Sequence, residues 1–118
     1  MKLFALIFAL VCVFTFNEAA VARMKVKKGD DAEIVLASNV QLYERFVQGG
    51  RQFYQNCLYG VFKPCGVWLN DRDRVVSQKG STSVRGDALI IHNFSEKDVG
   101  YYRIAGDRQN EIHVGLSE

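Results

Sequence analysis

Apolar residues in this chain recur at every second position rather than every third or fourth. Met24 and Val26 alternate with Lys25 and Lys27, and Ala32, Ile34 and Leu36 follow the same rule. Leu89 and Ile91 oppose Ala88, Ile90 and His92, and Ile112, Val114 and Leu116 close the chain. A period of two is that of a strand with one buried face, so the pattern predicts an all-β fold. Turn residues punctuate the runs: Gly29-Asp30-Asp31, the pair Gly49-Gly50, and the stretch 106–110. Val40, Leu42 and Phe46 flank Tyr43 in a third run, Arg51-Gln52-Phe53-Tyr54 gives a fourth, and Ser95-Glu96-Lys97-Asp98 suits one helical turn. Residues 57–72 carry the least pattern. One proline, 48% hydrophobic and 24% charged content exclude a disordered or collagen-like chain.

Residues 1–22 read as a secretory signal. Lys2 supplies a basic start, residues 3–16 are apolar apart from Thr15, and Ala20-Val21-Ala22 offers small residues for cleavage. The apolar run is shorter than the roughly 18 residues a bilayer-spanning helix needs, and Val114-Gly115-Leu116-Ser117-Glu118 lacks a glycolipid-anchor tail. The expectation is a single domain over 23–118, exported, extracellular and not inserted in a membrane. Cleavage would remove one base (Lys2) and one acid (Glu18), leaving the net charge at +2, too even a balance for a nucleic-acid binder. It would also remove Cys12. Only Cys57 and Cys65 then remain, in an oxidising compartment, and a disulfide between them is expected. A zinc site joining them to His92 and His113 fits no finger spacing.

Leu89, Ile91, Phe94, Asp98, Gly100 and Tyr102 resemble the L-x-I-x-x-Φ…D-x-G-x-Y signature of the immunoglobulin superfamily. The resemblance implies an immunoglobulin-like two-sheet antiparallel β-sandwich, with Asp98, Gly100 and Tyr102 forming a tyrosine corner. The two positions of the family's inter-sheet cysteines fall on Leu36 and Ile104, which implies an apolar pair in place of the bridge. For the core tryptophan there are two candidates. Tyr43 occupies the expected strand, with Arg45 two positions on. Trp68 follows the Cys57–Cys65 clip, and choosing it turns 38–66 into an insertion; Tyr43 is preferred.

Catalysis needs a nucleophile with a base, paired carboxylates in a cleft, or a metal cluster. His92 and His113 fall on outward positions, so an enzyme would require a cleft gathering either of them with carboxylates. No enzymatic activity, metal or cofactor is expected. Asp71-Arg72-Asp73 lies in a charged turn, where a salt bridge from Arg72 or Arg74 to Asp98 would account for it. Arg85-Gly86-Asp87 spells the tripeptide that integrins read on exposed loops, and its Gly and Asp also suit a turn before Ala88. Asn93-Phe94-Ser95 is a glycosylation sequon. Arg23, Lys25, Lys27 and Lys28 form a basic edge that could meet acidic glycans in a defence or glycan-binding role, or simply guard a sheet edge against aggregation.

The aromatic-rich stretch carries the main functional expectation. Phe53, Tyr54, Tyr59, Phe62 and Trp68 are anchors of the kind that protein interfaces use, or the rings of a local mini-core around the disulfide. The expected activity is recognition of an extracellular or cell-surface protein, a second copy of the chain included, with Arg45, Tyr54, Tyr59, Phe62 and Trp68 as contacts. Tyr59→Ala and Trp68→Ala should then weaken binding without unfolding the domain.

Overall fold

The computed structural model describes residues 21–59 and 64–117. The expected signal lies outside them, except for Val21 and Ala22, which open the first strand. Nine strands follow in order: β1 (Val21–Lys27), β2 (Ala32–Val35), β3 (Leu42–Val47), β4 (Gly50–Gln55), β5 (Trp68–Asn70), β6 (Thr82–Arg85), β7 (Ala88–Ile91), β8 (Gly100–Ile104) and β9 (Glu111–Ser117). A 3-10 turn, Glu96–Asp98, sits where the acidic and basic run predicts one. Six strands form one sheet in the order β1-β9-β8-β3-β4-β5, and three form the other in the order β2-β7-β6. Pairing is antiparallel except between β1 and β9, which run parallel. The fold is an all-β two-sheet sandwich.

Alternation decides which side chains fill it. On the small sheet Ala32, Ile34, Leu89 and Ile91 face inward. On the large sheet Val26, Tyr43, Tyr54, Trp68, Tyr102 and Val114 do so. Tyr43 and Trp68, the two candidates for the core aromatic, are both fully buried, on different strands of one sheet. No insertion is needed, because 42–55 folds as the β3–β4 hairpin and β5 adds beside it. Their rings form a chain: Tyr43 to Tyr54 at 6.3 Å, Tyr54 to Trp68 at 5.4 Å, Trp68 to Tyr102 at 6.0 Å. Contacts of this kind contribute about 0.5–1.5 kcal/mol each beyond the area they bury.

The sheets are tied by polar groups as well. The Tyr54 hydroxyl donates to the Thr82 carbonyl (3.0 Å), and Trp68 Nε1 donates to Thr82 Oγ1 (2.9 Å). Both bonds cross from the large sheet to the small one, and both satisfy groups that would be costly to bury unpaired. Leu36 and Ile104 are partly buried and pack against the core cluster. Strand β2 ends at Val35, and the Leu36 N–H already turns to the Asp87 carbonyl at 3.2 Å.

The tyrosine corner forms around Asp98. The Tyr102 hydroxyl donates to the Asp98 carbonyl (2.5 Å), and Asp98 Oδ2 accepts the Ser95 N–H (3.1 Å) in a capping box. Burial holds the Tyr102 phenol well above its ordinary pKa, so it stays protonated and keeps donating. At Gly100 an added Cβ would lie 1.9 Å from the Phe46 carbonyl oxygen, so β3 and β8 can pair there only over a glycine. The cation at Asp98 is not Arg72 or Arg74. Those residues sit in a turn whose N–H groups donate to Asn70 Oδ1, and the partner is Arg45, at 3.1 Å from strand β3.

Candidate functional site

The residues expected to contact a partner divide by burial. Arg45 is inside: its Nη1 donates to Asp98 Oδ1 and to the Tyr102 hydroxyl (3.1 Å each), its Nε donates to Gln52 Oε1 (2.7 Å), and its guanidinium lies 4.1 Å from the Trp68 ring centre. Tyr54 and Trp68 are buried in the main core. These three are therefore corrected from contact residues to structural ones, because the inward register of β3, β4 and β5 gives them to the sandwich interior. Tyr59 stands on the surface beside the clip, its hydroxyl donating to Asn39 Oδ1 at 3.2 Å. Phe62 lies outside the described residues. The Cys57–Cys65 disulfide is formed, with Cα atoms 4.9 Å apart.

What the sequence reading missed is the opposite face of the same sheet. If Tyr43, Arg45, Tyr54 and Tyr102 point in, their neighbours point out, and the ladders line them up. One row crosses five strands: Arg23, His113, Tyr101, Phe46 and Arg51. The Tyr101 and His113 rings meet at 4.8 Å, and Tyr101 is 40% exposed. A second row lies alongside: Arg103, Glu44, Phe53 and Leu69, extended by the ion pair of Arg103 with Glu111.

Glu44 organises both rows. Its side chain is fully buried although it sits on the outward register, because Arg103 and Arg51 close over it. Arg103 Nε donates to Oε1 at 2.6 Å and Arg51 Nε donates to Oε2. Burial opposes ionisation of Glu44, but the hydrogen bonds and charges of Arg103 and Arg51 outweigh it and hold the carboxyl below the usual carboxylate range. Each arginine in turn covers a ring, Arg51 at 4.8 Å from the centre of Phe53 and Arg103 at 5.0 Å from that of Phe46. Phe46 and Phe53 are thus pinned with their rings partly exposed. The signal that finds these residues is the outward half of each alternation, such as Tyr101 beside buried Tyr102.

At the β5 end the face opens into a concavity of about 740 Å³ over Leu42, Phe53, Leu69 and Ile104, with Gln55 and Asp71 at its margin. At the β1 end it continues into the expected basic edge through Arg23 and Lys25. Lys28, by contrast, is paired with Glu96 at 3.3 Å.

The outer face of the small sheet is closed by polar straps. Arg85 reaches Glu33 at 2.9 Å. Asp31 Oδ2 meets His92 Nδ1 at 3.1 Å, and His92 Nε2 meets Ser83 Oγ at 2.9 Å. His92 is thus gathered with a carboxylate and a hydroxyl, and it borders a concavity of about 440 Å³ that Asp98 also lines. Asn93 is exposed at φ 55°, in the bend after β7. Among the described residues no cluster of three His, Cys, Asp or Glu stands ready for a metal, and no helix is long and apolar enough to cross a membrane. No family model, curated protein or solved structure matches the chain.

Proposed function

We propose that the chain is a secreted, immunoglobulin-like recognition module that binds an extracellular or cell-surface protein through the outer face of its six-stranded sheet. One observation carries the reading: partly exposed Phe46 and Phe53 and exposed Tyr101 lie among Arg51, Arg103 and His113 on one sheet face, and buried Glu44 fixes the two arginines that cover Phe46 and Phe53. Rigid aromatic and arginine anchors contribute most where they lose little freedom on binding. The two sheets and the corner around Asp98 support the immunoglobulin-like assignment. The partner's chemistry follows from the face: apolar side chains to meet the rings and carboxylates to meet the arginines.

The test is a binding screen. The full chain is expressed through a secretory pathway, multimerised for avidity, and presented to a panel of extracellular proteins that includes itself. The expected result is a saturable partner lost on Phe46→Ala with Tyr101→Ala and kept by Val35→Ala on the other sheet. Binding indifferent to the Phe46 and Tyr101 pair would end the proposal. A second reading uses the same face from its basic end, where Arg23 adjoins His113. An acidic glycan held there would release steeply as salt rises, whereas a protein partner held by the rings would not.

A further inference from the structure

We propose that the hairpin joining β6 to β7 is a second, independent binding site, which presents Arg85-Gly86-Asp87 to a receptor of the integrin type. Such a receptor takes the guanidinium in an acidic pocket and the carboxylate on a bound divalent cation. Arg85 ends β6 and Ala88 begins β7, and the two are ladder partners, so Gly86 and Asp87 are the whole of the turn. Gly86 has φ 63° and Asp87 is not among the positive-φ residues, the pattern of a type II′ hairpin with glycine at its first central position. The tripeptide therefore occupies the extreme tip of a two-residue turn.

Turn chemistry accounts for Gly86 and Asp87 and leaves Arg85 open, and the joint placement of Arg85 and Asp87 at the tip is what a receptor needs. The Arg85 side chain is 73% exposed, and Gly86 and Asp87 are exposed beside it. A Cβ at Gly86 would touch nothing within 4 Å, so the space in front of the tip is empty and a receptor's backbone can approach. The Arg85 guanidinium reaches across β7 to Glu33 on β2 at 2.9 Å, and the Asp87 carbonyl accepts the N–H of Leu36, the residue after β2, at 3.2 Å, which fixes the backbone of the tip. Among the described residues the Asp87 carboxylate accepts no hydrogen bond, which leaves a hard oxygen donor of the kind that completes a magnesium or calcium shell.

The neighbours permit docking. Arg85 already binds a carboxylate, in an exposed pair that is weakly held and exchanged readily for another acid. The ladder from Thr82↔Ile91 to Arg85↔Ala88 fixes the backbone, so the tip is preorganised and pays little ordering entropy on binding. The sequon at Asn93 lies at the opposite end of β7, so a glycan there leaves the tip clear. The large-sheet face lies on the other sheet, so both sites can be filled at once.

The experiment immobilises the full secreted chain and measures binding of a panel of Arg-Gly-Asp-reading integrin ectodomains, with magnesium and manganese present and then with EDTA. The expected result is saturable, cation-dependent binding that a linear Arg-Gly-Asp peptide displaces. Asp87→Asn, which suits the same turn, should weaken it more than tenfold with an unchanged melting temperature. Glu33→Gln, which frees Arg85, should strengthen it. Phe46→Ala with Tyr101→Ala should leave it unaltered, which separates this site from the large-sheet face. No binding by the unmodified chain overturns the proposal, and so does binding that survives EDTA or Asp87→Asn.

Discussion

Arg45→Met is the most direct probe of how this sandwich is locked. Methionine keeps an unbranched chain over Trp68 but removes every donor. Asp98 Oδ1 and the Tyr102 hydroxyl each lose a bond of 3.1 Å, and Gln52 Oε1 loses one of 2.7 Å. The side chains of Arg45 and Asp98 are only 5% and 6% exposed, so water cannot replace the lost partner. Removing one member of a buried pair costs about 3–5 kcal/mol, chiefly because the other charge is left uncompensated. A domain of about 100 residues has roughly 5–15 kcal/mol in total, so the variant should stand near the edge of folding. At about 4–8 °C per kcal/mol its Tm should fall by about 12 °C or more. Urea unfolding of the wild type, Arg45→Met, Asp98→Asn and the double variant gives the coupling. The double variant should be about 2 kcal/mol more stable than the sum of the single losses predicts. Strict additivity, or a loss below about 1 kcal/mol for Arg45→Met, would show that the corner holds without its cation and refute the reasoning.

Three further outcomes can be checked. Trp68→Ala, first expected to weaken binding in a folded domain, should instead cost about 3–5 kcal/mol in denaturant melts, while Tyr59→Ala on the surface should stay within about 0.5 kcal/mol of wild type. Because the Glu44 pKa is lowered in the folded state, its contribution is fully present above the unfolded value of about 4.3 and is lost as pH falls through the folded value; the stability of Glu44→Gln should therefore vary less with pH below about 4.3 than that of the wild type, as pH-resolved thermal melts would show. Replacing Cys57 and Cys65 by serine opens a loop closed across a separation of 8 residues and should cost about 2–3 kcal/mol in the chain-entropy account, measured by urea titration beside a reduced wild-type sample.

The strands were legible in the sequence wherever alternation was clean. Ala32 and Ile34, Leu89 and Ile91, and Val114 all face inward as their spacing demands, and the block from Leu89 to Tyr102 carries the corner. The middle was not legible. Residues 42–47 mix large residues on both registers, and composition alone does not show that Tyr43 and Arg45 go inside while Leu42 and Phe46 go out. The ladders to Tyr102 and Tyr54 settle it. Arg45 misleads for a physical reason: a guanidinium reads as surface until a buried carboxylate and a tryptophan face are found for it. The binding stretch misled in the same way, since Tyr54 and Trp68 have the composition of an interface and the burial of a core. Glu44, on an outward position, was invisible because its burial depends on Arg51 and Arg103 from two other strands.

The origin of the cation at Asp98 bears on how this domain can change over time. Arg45 stands on β3, paired on both sides, and it brings the corner's positive charge from inside the sheet. The turn at 71–74, with Arg72 and Arg74 available, is thereby released from that duty and is fastened chiefly through Asn70. That turn borders the concavity on the outer face of the large sheet through Asp71. Substitutions at Arg72 or Arg74 would therefore reshape this rim while the lock beneath it stays unaltered.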